Sequence, residues 1–206
     1  MTSPSTDPSG TATRILDIAE HLVQVRGFNA FSYADVASVM SVTKASLHYH
    51  FPSKAILGET LIRRYQGGFQ AALTTIERSG EPATAQICSY IAIYRNVLAN
   101  GRLCLCCMLA ADYMTLPKLM QDGVRRFFDL NYAWLAGVLE SGRNAAELDF
   151  DGPAMEVATF MVASLEGAMV AAWVDGGGDR FTMIGDRLLA SVGICPPGSP
   201  RRLTQY

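Results

Sequence analysis

The sequence has no strong charge imbalance: its 206 residues include 17 Lys and Arg against 19 Asp and Glu, for a formal net charge of −2. This balance excludes a protein that binds nucleic acid over its whole surface, so any such contact requires a local basic patch. The chain also lacks the low hydrophobicity of a disordered protein, because 50% of its residues are hydrophobic. A chain of this length buries roughly 70% of its unfolded surface, so it needs neither disulfides nor a metal to hold a core.

Export and membrane signals are also scarce. Residues 1–10 are rich in Ser, Thr and Pro and lack an apolar segment behind a basic start. The one long apolar stretch, 157–174, carries Glu166 near its centre, where a charge costs about 2.5 kcal/mol or more in a bilayer. The five cysteines are odd in number, and three of them crowd together at positions 104, 106 and 107, too close for a disulfide framework. We expect a cytoplasmic chain without a membrane partner, in which 157–174 is a buried helix.

No run of alternating β-branched residues flanks a hairpin dipeptide, which favours an all-α fold. Amphipathic periodicity, capping residues and breakers together predict about nine helices. Their expected ranges are 13–26, 33–40, 44–50, 54–78, 82–100, 103–114, 117–141, 153–175 and 179–193. Glycines 27, 101, 142 and 176 are expected just past helix ends. The Pro-, Ser- and Gly-rich ends, 1–10 and 195–206, are expected to be disordered or flexible tails.

The second and third helices have clear start signals. Ser32 is a favourable N-cap with Asp35 three residues on, and Thr43 caps the next helix. That helix is expected to end at the Phe51-Pro52 dipeptide, because a residue before proline avoids the helical conformation. Two short capped helices that follow a longer amphipathic one make the three-helix form of a helix-turn-helix.

This segment is also the local basic patch of the chain, because no acidic residue lies between Asp35 and Glu59. The window contains Lys44, His48, His50 and Lys54, with Tyr49 and the hydroxyls of Ser41, Thr43 and Ser46. Cations and hydroxyls bind phosphates, and small side chains let a helix approach base edges, so this composition suits a DNA groove. The alternative is a solvated helix of an ordinary bundle, in which lysine and histidine face water. Each residue alone favours that alternative, whereas the caps, the acid-free window and the ordered motif together favour DNA binding.

Residues 13–65, and most densely 43–54, resemble the DNA-binding domain of the TetR family of bacterial transcriptional regulators. The resemblance implies a homodimer whose recognition helices enter successive major grooves of a pseudo-palindromic operator. It also implies a division of the chain, with DNA binding over 11–53 and both effector binding and dimerisation over 54–194, where 54–78 is the connecting helix. The effector is implied to be a small molecule that shifts the spacing of the two DNA-binding heads.

Carried over by position, the resemblance implies two groups of DNA contacts. Bases and the nearby backbone would be contacted by Thr43, Lys44, Ala45, Ser46 and His48, and phosphates by Ser32, Tyr33, Tyr49, His50 and Lys54. The sequence departs from the family pattern at two positions, where Ser41 replaces the usual turn glycine and His48 replaces the usual tyrosine. A serine in the left-handed conformation costs about 1 kcal/mol, and a histidine makes the charge of the contact depend on pH.

Beyond residue 80 the chain is rich in aromatic residues and methionines, which at helical spacing usually form a core. The same residue types line binding cavities, together with a few polar groups that orient a ligand. The effector-binding candidates are Tyr94, Cys104, Cys106, Cys107, Met108, Tyr113, Phe127, Phe128, Asn131, Trp134, Met161 and Glu166. Apolar stripes on the last two helices predict a dimer interface of Met161, Leu165, Met169, Trp173, Phe181, Ile184 and Leu188. The alternative is a monomer that buries the same stripes internally.

The cysteine cluster has two interpretations. Cys104, Cys106 and Cys107 are either small hydrophobes of the core or, with Arg102 nearby to stabilise a thiolate, sensors of electrophiles or oxidants, which the resemblance allows. We expect at least one partly exposed thiol in the cluster. A metal site is disfavoured, because no second ligand pair follows at zinc spacing and all three histidines lie in the first fifty residues.

The sequence therefore predicts a dimeric transcriptional repressor that a small apolar, aromatic or thiol-reactive effector releases from its operator by a population shift. We find no Gly-rich phosphate loop, no convincing carboxylate pair and no serine elbow, so the chain is not expected to be an enzyme. No catalytic residue, metal or cofactor is expected. The alternatives are a small all-α thiol redox protein or enzyme that uses the cluster at 104–107, and a helical interaction module that does not bind DNA.

Overall fold

The computed structural model describes residues 8–194 of the chain. Its helices are α1 (Pro8–Arg26), α2 (Tyr33–Met40), α3 (Lys44–His50), α4 (Lys54–Arg78), α5 (Ala83–Ala99), α6 (Leu105–Ala111), a 3-10 helix (Tyr113–Thr115), α7 (Lys118–Asn144), α8 (Ala154–Asp175) and α9 (Asp179–Ser191). No strand occurs between residues 8 and 194, so the all-α prediction is confirmed. The tails predicted at 1–7 and 195–206 lie outside the described residues.

The helix predicted at 103–114 is divided into α6 (Leu105–Ala111) and the 3-10 helix (Tyr113–Thr115). Two further predicted boundaries are wrong. The first helix begins at Pro8, five residues before the predicted start, so residues 8–10 belong to a helix rather than to a tail. Proline suits the first turn of a helix because its missing N–H has no intrahelical partner there. The second error concerns Gly142, which lies inside α7 rather than past its end.

Close packing explains why residue 142, which lies inside α7, is a glycine. A Cβ atom at this position would lie 2.5 Å from Cδ1 of Leu148 and 2.6 Å from Cβ of Ala83, closer than atoms of a packed core approach. The glycine therefore allows the start of α5 and the segment after α7 to pack against this helix. Ala146 instead takes the positive φ, 56°, just beyond the end of α7.

The described residues form two compact units, and the chain passes between them at three points: within α4, between α5 and α6, and within α7. The first unit comprises residues 8–68 and 102–127, and the second comprises 69–101 and 128–194. The predicted functional boundary between residues 53 and 54 lies inside the first unit and stays a prediction.

Large aliphatic side chains fill the core of the first unit. The largest of those less than 2% exposed are Ile15, Leu47, Leu57, Leu61, Ile62, Leu105, Leu109 and Met120. Gly58 on α4 brings two parts of this unit together, because a Cβ there would lie 2.5 Å from Cε of Met120 and 2.8 Å from Cε2 of Phe28. The helix-turn-helix segment and α6 thus share one hydrophobic core.

The second unit contains the long apolar helix α8. By length and composition α8 is the one helix among the described residues that meets the requirement for crossing a membrane, and 44% of its most apolar window is buried. Its inner face packs against α5 and α9. Glu166 lies on this helix and is only 7% exposed. The inner face of α8 agrees with the predicted buried helix at 157–174, whereas apolar residues of its outer face, among them Phe160 and Val174, are exposed.

Candidate DNA-binding site

The start of α2 is fixed by a capping interaction. Both the backbone N–H and the hydroxyl of Ser32 donate hydrogen bonds of 2.7 Å to the carboxylate of Asp35. These hydrogen bonds favour the charged carboxylate and hold the pKa of Asp35 below its ordinary value. The predicted N-cap is confirmed, and the flanking Phe31 and Val36 are both buried.

The turn between α2 and α3 depends on Ser41. This residue has φ 56° and ψ 41°, the left-handed conformation that glycine adopts without strain. Its N–H donates to the Ser38 carbonyl at 3.2 Å, and the Val42 N–H donates to the Ala37 carbonyl at 3.1 Å. These bonds satisfy the last carbonyls of α2 and turn the chain directly into the next helix. The left-handed serine expected from the sequence is confirmed.

Helix α3 begins and ends where its sequence predicts. The Thr43 hydroxyl accepts from the Ser46 N–H at 3.3 Å, and the Phe51 N–H closes the last turn on the Leu47 carbonyl at 2.8 Å. Leu47 is fully buried and Phe51 is 6% exposed, which confirms their assignment to the core. The inner side of α3 is therefore anchored, and its orientation is set by packing.

The outer side of α3 carries the basic and hydroxyl-bearing residues. Thr43, Lys44, Ala45, His48 and Tyr49 are exposed, and Ser46 and His50 are half-buried. Tyr49 is 81% exposed, an unusual position for an aromatic side chain unless it meets a partner. The structure thus brings seven of the predicted contact residues onto one short helix and its cap.

Two other predicted contact residues are used inside the protein. Tyr33 is only 8% exposed, and its hydroxyl donates to the Phe51 carbonyl at 2.7 Å. Burial raises the pKa of Tyr33 to about 12. The prediction that Tyr33 holds a phosphate is therefore corrected: this side chain joins α2 to the end of α3. The sequence did not distinguish the two roles, because a tyrosine at a helix start suits either.

Lys54 also has an internal partner. Its ammonium group donates to the Phe28 carbonyl at 2.6 Å and lies 4.5 Å from the ring centroids of both Phe28 and Phe31. Burial lowers the pKa of Lys54, against the opposing charges of Asp112 and Asp35. Lys54 thus ties the start of α4 to the loop between α1 and α2 with one of its three N–H donors, and its predicted phosphate contact stays a prediction.

Within the first unit, hydrogen bonds join α1 and the loop that follows it to the two ends of α6. The Gln24 side chain donates to the Leu103 carbonyl at 3.0 Å, and the Leu103 N–H donates back to the Gln24 carbonyl at 3.3 Å. At the other end of α6, the Asn29 N–H donates to Asp112 at 3.2 Å, and its side chain donates to Thr115 at 2.9 Å. Both ends of α6 are therefore fastened to α1 and its following loop.

The predicted effector residues do not form one group. Cys104, Cys106, Cys107, Met108, Tyr113 and Phe127 lie in the first unit, whereas Tyr94, Phe128, Asn131, Trp134, Met161 and Glu166 lie in the second. In the first group, Cys104 and Cys106 are buried and Cys107 is half-buried, so the expectation of one partly exposed thiol is confirmed. Among residues 8–194, no cluster of three metal-ligating side chains occurs.

The second unit contains a buried polar network that joins two predicted effector residues, Tyr94 and Asn131, to Tyr90, which the sequence did not single out. The Tyr90 hydroxyl donates to Asn131 Oδ1 at 2.5 Å, Asn131 Nδ2 donates to the Tyr94 hydroxyl at 2.7 Å, and the two hydroxyls are 3.0 Å apart. The Trp134 ring stacks on Tyr90 at 5.4 Å. Tyr90 and Tyr94 are four residues apart on α5, a spacing that places both on one side of a helix and was the available signal.

A cavity of about 610 Å³ lies beside this network in the second unit, and Trp134 is part of its wall. Its rim carries the carboxylates of Glu77, Glu81 and Glu147. The volume falls within the range of small-molecule sites, roughly 300–1,000 Å³. The arrangement therefore has room for a small organic molecule between the end of α4, the start of α5 and α7.

The predicted dimer stripe lies inside its own chain. Met161, Leu165, Met169, Phe181 and Leu188 are each at most 3% exposed in the isolated subunit, and Trp173 and Ile184 are half-buried. These five buried residues are therefore corrected to intrachain core, whereas the interface role of Trp173 and Ile184 stays a prediction. Periodicity identified the buried face of each helix, but it does not tell whether the covering surface belongs to the same chain or to another.

The outer face of the same two helices is apolar as well. Its exposed side chains include Phe160 (60% exposed), Val170 (43%), Val174 (78%) and Met183 (62%). The small residues Gly167 and Ala163 lie between them on α8, and a Cβ at Gly167 would meet nothing within 4 Å. This face is thus open, apolar and flat enough for close approach of another helix.

An all-α chain with a capped helix-turn-helix and a basic outer helix face belongs to the class of helix-turn-helix regulators. A family model described as bacterial regulatory proteins of the tetR family matches residues 15–59. A TetR-family regulator from Agrobacterium tumefaciens is 31% identical, with 90% of this chain and 99% of that chain covered and a TM-score of 0.87. A TetR regulator from Legionella pneumophila is 29% identical, with 93% and 100% covered and a TM-score of 0.78. The chain belongs to the TetR family, which confirms the resemblance.

A curated relative is matched over a shorter length. The HTH-type transcriptional repressor KstR2 of Rhodococcus jostii is 31% identical over 91 residues, which are 42% of this chain and 45% of that protein. The match thus spans less than half of the curated repressor. The relatives are transcriptional regulators rather than enzymes, which confirms the prediction of a non-enzymatic protein.

Proposed function

We propose that this protein is a sequence-specific DNA-binding repressor, located in the cytoplasm, whose homodimer binds a pseudo-palindromic operator. The observation that carries the proposal is the outer side of α3. Lys44 supplies a cation there, Thr43 and Ser46 supply hydroxyls, and Tyr49 supplies an exposed aromatic ring. No residue of this helix carries a carboxylate. Such a surface attracts phosphates and admits base edges. The proposed contacts are Ser32, Thr43, Lys44, Ala45, Ser46, His48, Tyr49 and His50.

Selection of duplexes from a random DNA library by the purified, reduced protein tests this function. The expected product is a two-fold symmetric motif whose half-sites are about 34 Å apart, or a multiple of that distance. Lys44→Ala is expected to weaken binding of the selected duplex by about tenfold, whereas Arg78→Ala, which removes an exposed cation at the end of α4, is the matched control. Failure to enrich any motif at low salt, or equal losses in both variants, would contradict the proposal.

The apolar outer face of α8 and α9 supports the homodimer. Phe160 and Met183 lie on a groove of about 590 Å³ across these helices, and Val174 continues the apolar surface along α8. Two copies related by a two-fold axis would bury this face in a four-helix bundle. Light scattering is expected to give twice the chain mass of 22.3 kDa at micromolar concentration. Phe160→Glu is expected to reduce it to one chain, and Leu119→Glu, an exposed apolar position in the first unit, is expected not to.

The effector is proposed to act through α6. Because Gln24 and Asn29 fasten both ends of this helix to the head, a ligand that favours a shifted α6 lowers the population of the DNA-binding form. The cavity beside Trp134 supports a small organic effector. Addition of a ligand that occupies this cavity is expected to weaken operator binding, and the loss is expected to be smaller in a Gln24→Leu variant.

A thiol-reactive effector is the second candidate, favoured by the position of Cys107 on α6. This thiol is half-buried, so a modifying group would have to displace α6 from the core that surrounds it. Treatment with N-ethylmaleimide is expected to release the wild-type protein from DNA but not Cys107→Ala. Cys88→Ala, which removes an exposed thiol on α5, is the matched control and is expected to respond like the wild type.

A further inference from the structure

The imidazole of His48 is held in one orientation by two contacts. Its Nδ1 atom lies 3.3 Å from the Pro52 carbonyl oxygen, and its ring centroid lies 4.7 Å from that of Tyr33. Tyr33 is itself fixed, because its hydroxyl donates to the Phe51 carbonyl at 2.7 Å. His48 is nonetheless an exposed residue. The histidine is therefore a positioned side chain on the DNA-facing side of α3.

The contact with Pro52 determines which ring nitrogen carries the proton. A carbonyl oxygen accepts hydrogen bonds and never donates them, so the hydrogen of this contact belongs to Nδ1. In the neutral imidazole only one nitrogen is protonated, which leaves Nε2 with a lone pair. Nε2 lies on the far side of the ring from Nδ1 and hence away from Pro52. The outer edge of neutral His48 thus presents a hydrogen-bond acceptor.

An acceptor on a recognition helix has few partners in DNA. In the major groove the hydrogen-bond donors are the exocyclic amines of adenine N6 and cytosine N4, whereas guanine and thymine present acceptors there. Phosphate oxygens also only accept. Lys44, one turn before His48 on the same side of α3, has donors only and thus favours phosphates or guanine. The two side chains therefore have opposite base preferences.

We propose that His48 determines operator specificity by accepting a hydrogen bond from the exocyclic amine of an adenine or a cytosine at one position of each half-site. The inference rests on the proposed DNA-binding function and names the class of base that the site selects. Tyr33 and Pro52 are positioning residues for this contact, because they hold the ring and its tautomer without contacting DNA.

Duplex selection with matched variants at about pH 8 tests the inference. The wild type is expected to prefer an amino base over guanine and thymine by about fivefold to tenfold at one half-site position. His48→Ala is expected to lose that preference while the rest of the motif remains. His48→Lys, which offers only donors, is expected to shift the same position toward guanine. His21→Ala, a change at an exposed histidine of α1 that is not among the proposed DNA contacts, is the control and is expected to keep the amino base.

A modified duplex gives a second readout. Replacement of the selected base by its analogue without the exocyclic amine is expected to weaken wild-type binding by about fivefold and His48→Ala binding by less than twofold. If His48→Ala keeps the amino-base preference, or if both proteins lose affinity equally on the modified duplex, the inference is wrong while the proposed function stands. If the wild type enriches no motif, both are wrong. Circular dichroism checks that each variant is folded.

Discussion

The turn at Ser41 gives a prediction whose sign depends on backbone conformation alone. Ser41 has φ 56°, and a residue with a Cβ in the left-handed region costs about 1–2 kcal/mol relative to glycine. Ser41→Gly removes that cost but increases the entropy of the unfolded chain, an opposing effect of about 0.4–1 kcal/mol. We therefore expect a net stabilisation of about 0.5–1 kcal/mol, which raises Tm by roughly 1–4 °C for a protein of this size.

The matched control is Ser38→Gly, the same substitution three residues earlier. Ser38 is exposed and lies within α2, where glycine costs about 0.5 kcal/mol more than serine. The two variants are thus expected to shift Tm in opposite directions when melted at the same protein concentration. If Ser41→Gly lowers Tm as much as Ser38→Gly does, strain at the turn does not explain the difference from the family pattern and the reasoning is wrong.

Three further predictions concern the core and pH. Asn131→Ala removes two buried hydrogen bonds and is expected to cost about 2–3 kcal/mol in urea unfolding; an unchanged midpoint would contradict the role of the network. Gly142→Ala is expected to lower the free energy of unfolding by about 1–3 kcal/mol, because the added Cβ has no room. Gly137→Ala on the same helix, where nothing lies within 4 Å of the added Cβ, is expected to raise it slightly. Equal effects of the two substitutions would argue against close packing. Burial raises the pKa of Tyr33 from 10 to about 12, so the folded state favours the neutral phenol. That contribution is complete below pH 10 and is lost as the pH rises toward 12, and Tyr33→Phe is expected to show a smaller loss in alkaline unfolding curves.

The helix boundaries could be predicted because they depend on local interactions. Ser32 and Thr43 cap their helices with side chains that sequence reading identifies, and Gly27 and Gly176 adopt the positive φ expected after a helix end. The segment without acidic residues and the burial of Leu47 could be predicted for the same reason, because both depend on residues close together in the sequence. The prediction for Gly142 was wrong because this glycine is required by close contacts with Ala83, on another helix, and with Leu148, in the segment after α7. Residue spacing does not show such contacts.

Roles that depend on tertiary contacts were out of reach. Tyr33 and Lys54 have the composition of phosphate contacts, yet each meets a carbonyl oxygen that only the fold brings near. The stripe that includes Leu165 was correctly read as buried but assigned to another chain. The tautomer of His48 follows from the position of the Pro52 carbonyl, so this property of the candidate site required coordinates.

Sequence-specific DNA binding by α3 can be measured in one comparison of two affinities. Fluorescence anisotropy would measure binding of the purified protein to a selected duplex and to a scrambled duplex of the same composition, at an ionic strength of about 0.15 M. The protein is expected to bind the selected duplex at least about 10³-fold more tightly than the scrambled duplex. Equal affinity for the two duplexes would contradict it.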